Sequence, residues 1–455
     1  MTPPTPDASS THREILRLAV PAFLALVAEP LFLLADTAIV GHLGTAPLAG
    51  LGVASATLLT AVNLFVFLAY GTTSVVARQL GAGDVRGALS AGVDGTWLAV
   101  LLGVVSAALV GAQAGPLCRL FGASDAAAGE AATYLRVAAL GIPAMLVTLA
   151  VTGVLRGLQD TRTPLVASVS AFAVNALLNL LFVYGLGWGI AGSAWGTVLA
   201  QTGMALALLL VMVRSARHHE ASLRPHPGRV LAAALGGVPL LVRTLALRAI
   251  LLVTTWVAAG LGDVPLAAYQ VSSTIWSFLV FALDALAIAA QALTGKALGA
   301  GDVRGAREAT TLMIRWGVWG GVVLGAGVLL LHRVLPLAFT GDTAVQQAIA
   351  AGLVVVALGQ PLSGVVFVID GVLIGAGDGR WLAGAMVATL LLYLPVVLAV
   401  RAGADRLVSG PDHVAAQAHA VMWLWAAFTV FMAIRGAFFW WRVCGDRWMV
   451  TGATR

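Results

Sequence analysis

Charge is what this chain has least of: Asp, Glu, Lys and Arg make up 10% of its 455 residues. A soluble domain carries about 25%, because its surface has to face water. With 60% of residues hydrophobic and a mean hydropathy of +0.95, the chain has no polar shell in which to wrap itself. Lipid is the solvent that suits it. Cysteine is nearly absent as well. Cys118 and Cys444 fall in an outer loop and in the tail of the segment pattern below, hence on opposite sides of a membrane, where they cannot pair. No C-x-x-C spacing offers a metal site, and the eight histidines are scattered without ligand spacing. No H-E-x-x-H is present, and Gly192-Ser193-Ala194-Trp195-Gly196 does not fit G-x-S-x-G. These absences argue against an intramembrane enzyme, a metal and any other cofactor. The net charge of +6 does not point to nucleic acid either, because the arginines are spread over loops rather than gathered on one face.

Apolar runs do occur, bounded by Gly, Pro or charge. They lie near 15–41, 46–77, 89–114, 128–155, 164–185 and 190–213, then near 232–260, 265–295, 308–331, 345–375, 382–401 and 414–440. Each can cross a hydrocarbon core, which takes roughly 20 helical residues. The first is far longer than a secretory apolar region of roughly 7–15 residues, so it reads as a retained helix. Arginine and lysine alternate between loops. Arg13, Arg17, Arg78, Arg86, Arg156, Arg162, Lys296, Arg304 and Arg380 mark one side, while Arg119, Arg333, Arg401 and Arg406 mark the other. By the positive-inside rule both termini are cytoplasmic in a multi-pass protein of the inner (plasma) membrane. The connection 214–231, with Arg214, His218, His219, Arg224, Pro225 and Pro227, divides the chain into bundles 1–213 and 232–440, with a tail from 441 to 455. Phe438-Phe439-Trp440-Trp441-Arg442 reads as an interfacial belt.

The two halves repeat. Leu80-Gly81-Ala82-Gly83-Asp84-Val85-Arg86-Gly87-Ala88 recurs as Leu298-Gly299-Ala300-Gly301-Asp302-Val303-Arg304-Gly305-Ala306. Gly153-Val154-Leu155 with Gly157, Asp160 and Arg162 recurs as Gly371-Val372-Leu373 with Gly375, Asp378 and Arg380. Val20-Pro21 answers Val238-Pro239, and Pro47-Leu48-Ala49 answers Pro265-Leu266-Ala267, every pair 218 residues apart. A single Gly-rich turn is ordinary, but one offset shared by four motifs marks duplication. An even helix count per half makes the repeats parallel. The expected fold is all-α and membrane-integral: twelve transmembrane helices in two six-helix bundles related by a pseudo-two-fold axis along the membrane normal.

Pro21 with Glu29-Pro30-Leu31 and Asp36-Thr37-Ala38-Ile39-Val40-Gly41-His42-Leu43-Gly44 resembles the first helix of multidrug and toxic compound extrusion (MATE) transporters, most closely their DinF-like branch. Gly153 to Pro164 is similar to that family's turn after the fourth helix, and Ala289-Ala290-Gln291-Ala292-Leu293 to its eighth. The likeness covers essentially the whole chain. It implies two bundles meeting in a V that opens alternately outward and inward, and efflux of small organic compounds, often amphipathic cations.

An ionisable group at the centre of a membrane helix costs about 2.5–3.5 kcal/mol on insertion scales, which makes each a functional candidate. The acids weighed are Glu29, Asp36, Asp284 and Asp370, with Asn63, Asn175, Asn179, Thr197, Gln201 and Gln291 as neutral polar groups. Asp36, Asn179 and Thr197 each lie five to seven residues from the outer end of their segments, roughly 8–11 Å deep at 1.5 Å per residue. Asn175 is one turn below Asn179 on the same face. Together they make a polar pocket in the first half. In the MATE resemblance Asp36 matches the acid that takes up the coupling proton, and Asn175, Asn179 and Thr197 match its surroundings. The chain departs from many relatives at Asn179, where they carry an aspartate. A lone acid suits a proton better than sodium, which wants paired hard oxygen charges. Glu29 is a second proton candidate, Asp284 and Gln291 are candidates in the second half, and Asp370 reads as structural. Pro21 and Pro30 are candidate hinges, since proline removes a helical hydrogen bond. The reading is thus a proton-coupled antiporter, a monomer in the lipid bilayer. The alternatives are sodium coupling or a lipid-precursor flippase. The flippase would need cationic side chains inside the bundle, and no interior arginine is evident in the sequence.

Overall fold

The computed structural model describes residues 8–119, 124–403 and 413–453, and every regular element among them is a helix. The first half holds α1 (Ala8–Gly41), α2 (Thr45–Asn63), α3 (Phe67–Gly81), α4 (Val85–Ala112), the short α5 (Ala114–Arg119), α6 (Asp125–Ala138), α7 (Ile142–Gly157), α8 (Arg162–Leu180) and α9 (Gly189–His218). The second half holds α10 (Pro227–Gly260), α11 (Asp263–Gly299), α12 (Val303–Leu331), α13 (Thr343–Gly375), α14 (Gly379–Ala402) and α15 (His413–Cys444). Among the described residues they make 12 spans long and apolar enough to cross a membrane, each overlapping a segment read from the sequence. Arg406 of the charge pattern and the last two residues of the tail fall outside the described residues.

Two spans are not single helices. The one read as 46–77 breaks after Asn63, where Val66 N–H bonds to the Asn63 carbonyl at 3.3 Å and Phe65 N–H to that of Val62 at 2.9 Å. The span holding α6 and α7 narrows to a 3₁₀ turn at Ala139–Gly141. Pro143 follows it and cannot donate to the Ala139 carbonyl, which accounts for the change of pitch. The connection between halves is also tighter than its sequence suggests. Helix takes both ends of 214–231 and leaves only 219–226 between α9 and α10.

The chain divides into two compact units. The first runs through Leu241 and adds Gly295–Gly301 and the segment from Thr451; the second comprises Val242–Thr294 and Asp302–Val450. This division by packing falls within α10, downstream of the connection 214–231. The first turns of α10 stay with the first unit because Gly237 packs directly on Phe67, where a Cβ would lie 2.5 Å from the ring. Gly295–Gly301 joins it for a similar reason. Gly81 meets the Lys296 carbonyl and Gly299 meets that of Arg78, each so closely that a Cβ would sit 1.9 Å away. In the first unit α7 packs on α3 and α4, α2 on α6, and α8 on α1 and α9; in the second, α13 lies between α12 and α15, with α14 on α15.

The duplication reappears as repeated contacts. In the turn before α4, Gly83 takes φ +79° and Asp84 caps the helix by accepting Gly87 N–H at 2.7 Å. Before α12, Gly301 takes φ +76° and Asp302 accepts Gly305 N–H at 2.8 Å. Gly153 and Gly157 of α7 lie against the carbonyls of Ala69 and Thr73, and Gly371 and Gly375 of α13 against those of Ala287 and Gln291. Gly103 meets Pro143, and Gly321 meets Pro361. All these mates are 218 residues apart. Without a hydrophobic drive between helices in lipid, small residues that admit backbone contact hold such a bundle.

Candidate ion-coupling site

The first unit brings Asp36, Asn175, Asn179 and Thr197 together. α1 supplies Asp36 five residues before its end, α8 the two asparagines one turn apart, and α9 the threonine. All four are buried, with 2% exposure or less. Asn179 Nδ2 donates a short hydrogen bond to Asp36 Oδ1, and also reaches Asn175 Oδ1 at 3.2 Å. Asn175 Nδ2 donates to Thr197 Oγ1 at 3.3 Å. With that amide turned over, Asn175 donates instead to Asp36 Oδ1 at 3.0 Å. Thr197 gives its proton to the Ser193 carbonyl at 3.1 Å. The buried Tyr134 hydroxyl on α6, 3.4 Å from Thr197 Oγ1, is therefore the donor of that pair.

The close packing behind this chain of bonds depends on Gly192 and Gly196, a small-x-x-x-small pair on α9. Gly192 touches the Phe182 backbone, and a Cβ on Gly196 would lie 2.0 Å from Asn179 Oδ1. That oxygen has no hydrogen-bond partner. Just beyond Asn179, α8 loosens into a π turn at Leu181–Gly185, a feature frequent at functional sites. The Tyr184 hydroxyl there holds the Ile39 carbonyl of α1 at 2.5 Å. The pentapeptide that failed as a nucleophile elbow thus sets the distance between α8 and α9.

The remaining candidates lie elsewhere. Glu29 is exposed and two turns of α1 from Asp36, about 10 Å along the axis. Asn63 is half-buried at the break after α2, and Asp284 half-buried on α11. Gln291 is buried at the α11–α13 crossing, in the position that Thr73 takes in the first half. Helix α1 stays α-helical through Pro21 and Pro30. Pro21 deprives the Arg17 carbonyl of its helical donor, and the Thr161 hydroxyl reaches that oxygen at 3.3 Å.

Sequence reading missed four side chains. Asp94, inside the run 89–114, is as buried as Asp36 and met the same criterion. Its Oδ1 accepts His226 N–H at 3.0 Å, and Arg229 lies 2.8 Å from its Oδ2 as an ion pair without hydrogen-bond alignment. Tyr134 gave no signal, standing in an alanine-rich helix. The expectation of no interior arginine is overturned: Arg243 on α10 and Arg435 on α15 are buried, with 6% and 2% exposure. Both bind Asp370, Arg243 through Nε at 3.1 Å and a shorter second bond, Arg435 at 2.9 Å. They serve that acid, and Arg435 also lies over the Phe439 ring at 5.0 Å. Among the described residues no cluster of His, Cys, Asp and Glu could hold a metal ion.

Comparison with known proteins fits this architecture. The MatE family model matches residues 21–181 and again 239–399, one match per half. The chain is 31% identical over 453 residues to the chloroplastic Protein DETOXIFICATION 44 of Arabidopsis thaliana, covering 95% of this chain and 82% of that one. It is 29% identical over 454 residues to the DNA damage-inducible protein F of Escherichia coli K12, covering 94% and 91%. Among solved structures, a MATE transporter of Vibrio cholerae superposes with a TM-score of 0.85 at 18% identity, over 97% of this chain and 99% of that one. At that identity the likeness concerns the fold.

Proposed function

The chain belongs to the MatE family of multidrug efflux transporters, and on that footing we propose that it exports amphipathic, often cationic, organic compounds in exchange for protons taken up by Asp36. One observation carries the reading: Asp36 is a buried acid whose hydrogen-bond partners are all neutral. Asp370 is held by two buried arginines, whereas Asp94 pairs with Arg229, whose side chain is half exposed. An acid locked into a buried pair cannot change charge without a loss of about 3–5 kcal/mol. Asp36 has no such lock.

Its partners suit either charge state. A carboxylate accepts from an amide nitrogen, whereas a carboxylic acid must donate. Asn179 offers Nδ2 in the arrangement seen and, turned over, its unpartnered Oδ1. Protonation would thus reverse the polarity of the bonds tying α1 to α8. Pro21 and Pro30, each without a helical N–H, dispose α1 to bend in response. A proton arriving from outside would favour expulsion of the cargo by alternating access. The arginine distribution supports cytoplasmic termini and a place in the plasma membrane, and a monomer suffices. Sodium suits the site less: Asp36, Asn175, Asn179 and Thr197 supply hard oxygens but a single charge.

The test is efflux of an organic cation from proteoliposomes under an imposed pH gradient, wild type against Asp36→Asn, with and without sodium. Export should require the proton gradient and be lost in the variant. Export driven by sodium alone, or unimpaired in Asp36→Asn, overturns the proposal.

A further inference from the structure

Asp36 is 2% exposed, so a proton from outside needs a way in. A cavity of about 480 Å³ lies at the end of the first unit that the charge pattern places outside, with Leu43, Pro47, Glu130, Thr133, Trp188 and Ile190 in its lining. Thr133, Gly187 and Trp188 are exposed, so it is open to water. Its walls are the outer ends of helices that build the ion-coupling site. Leu43 follows α1, Glu130 and Thr133 sit on α6, and Ile190 is in the first turn of α9.

Below the cavity, polar groups descend on two of these helices. On α6, Tyr134 is one turn beyond Glu130 and on the same face, about 6 Å deeper. On α9, Ser193 is one turn beyond the cavity-lining Gly189, and Thr197 one turn beyond Ser193. The two helices pack together. Their ladders meet where the Tyr134 hydroxyl lies 3.4 Å from Thr197 Oγ1, at the cluster that holds Asp36. Ser193 is 0% exposed, yet its Oγ has no hydrogen-bond partner. Native proteins rarely bury such a group without a use for it.

Of the described residues lining the cavity, Glu130 alone can carry charge. Gly50 of α2 fixes its place, since a Cβ there would lie 2.7 Å from Glu130 Cβ. Its carboxylate has no ion-pair or hydrogen-bond partner among the described residues. The helices around it offer little competition. α2 carries no titratable side chain, α9 none before Arg214, and α4 has only Arg86 and Asp94, towards its other end. Arg136 of α6 lies beside Gly115 on α5, the helix of Cys118 and Arg119, while Asp125 opens α6 and His42 bonds to the Ala38 carbonyl at 2.7 Å.

We infer that this cavity is the outer entrance for the coupling proton, with Glu130 as its collector and Ser193 and Tyr134 as relays to the Asp36 cluster. The Glu130 carboxylate takes a proton from outside and passes it on through water in the cavity, returning to a carboxylate. A relay hydroxyl accepts that proton on its oxygen and releases its own hydrogen inward. Ser193 and Tyr134 are thus unchanged after each transfer, and Asp36 ends as the acid. The inference deepens the export reading and rests on it for Asp36 as the final acceptor.

The experiment follows efflux of an organic cation from proteoliposomes against the pH at the outer face, with and without imidazole as a mobile proton carrier. Glu130→Gln should lower the maximal rate at least tenfold at the alkaline end of the profile, where protons are scarce, with KM for the cation within about twofold of wild type. Imidazole in the open cavity should restore the rate, as should Glu130→Asp. Ser193→Ala should slow efflux without lowering the thermal midpoint, because it removes a buried group that bonds to nothing. A wild-type pH profile in Glu130→Gln, a raised KM at an unchanged maximal rate, which would make the cavity a cargo site, or a lost rate that imidazole does not restore would overturn the inference. If Glu130→Gln does not fold, a wild-type rate in Ser193→Ala overturns it instead. Asp36→Asn separates the two readings: efflux lost there but normal in Glu130→Gln sinks this inference alone, whereas efflux unimpaired in Asp36→Asn sinks both.

Discussion

Replacing Asp370 by asparagine keeps its shape and removes the charge shared by two buried guanidinium groups. Arg243 Nε is 3.1 Å and an Arg435 amine 2.9 Å from the carboxylate, and all three side chains are at most 7% exposed. Breaking one buried pair by removing a partner costs about 3–5 kcal/mol, and here one acid serves two cations, so the lower figure is a floor. At about 2–4 °C per kcal/mol for a unit of this size, the full chain in detergent should lose about 6 °C or more in thermal unfolding. Asp36→Asn supplies the contrast. Its partners are neutral and the new amide oxygen can still accept from Asn179, so its midpoint should fall by no more than about 4 °C. The triple change Asp370→Asn, Arg243→Leu, Arg435→Leu should recover most of the loss, since apolar groups in place of a buried ionic triad are often neutral or stabilising. The measurement is the midpoint of monodisperse protein surviving a temperature series. A wild-type midpoint for Asp370→Asn, or an equal fall for Asp36→Asn, would refute the distinction between a locked acid and a switchable one.

Two further outcomes follow from the first unit. Gly196→Ala places a methyl 2.0 Å from Asn179 Oδ1 and should displace that amide from Asp36, abolishing efflux for an overpacking cost of about 1–3 kcal/mol, whereas Gly203→Ala on the same helix meets nothing within 4 Å and should transport normally. Asp94→Asn removes a charge-assisted bond of about 1.5–3 kcal/mol that ties residues 219–226 to α4, so a glutamate-specific protease should cut after the exposed Glu220 at least tenfold faster; an unchanged rate would show that Trp97 Nε1, 3.3 Å from the Leu223 carbonyl, suffices.

What could be read from the sequence was whatever a helix fixes by counting. Length and hydropathy located the spans, and the level of Asp36, Asn179 and Thr197 followed from their distance to helix ends. The break after Asn63 carries no Pro or Gly and left no trace. Tyr134 reaches Thr197 through the rotation of α6, which its own sequence does not specify. Arg243 and Arg435 sit in apolar runs, but their role depends on an acid on a third helix. Gln291 errs the other way: polarity in an apolar helix suggested a site, and the structure gives it the packing place of Thr73. The 218-residue offset would have said so. Applied to Asp36 and Asn175, that offset gives Thr254 and Tyr393, which are buried and bonded to each other at 2.8 Å. The second unit thus closes the equivalent helix crossing without a carboxylate. Packing at this position does not require an acid, and retention of one in the first unit alone is what a coupling site, rather than a structural tether, would leave.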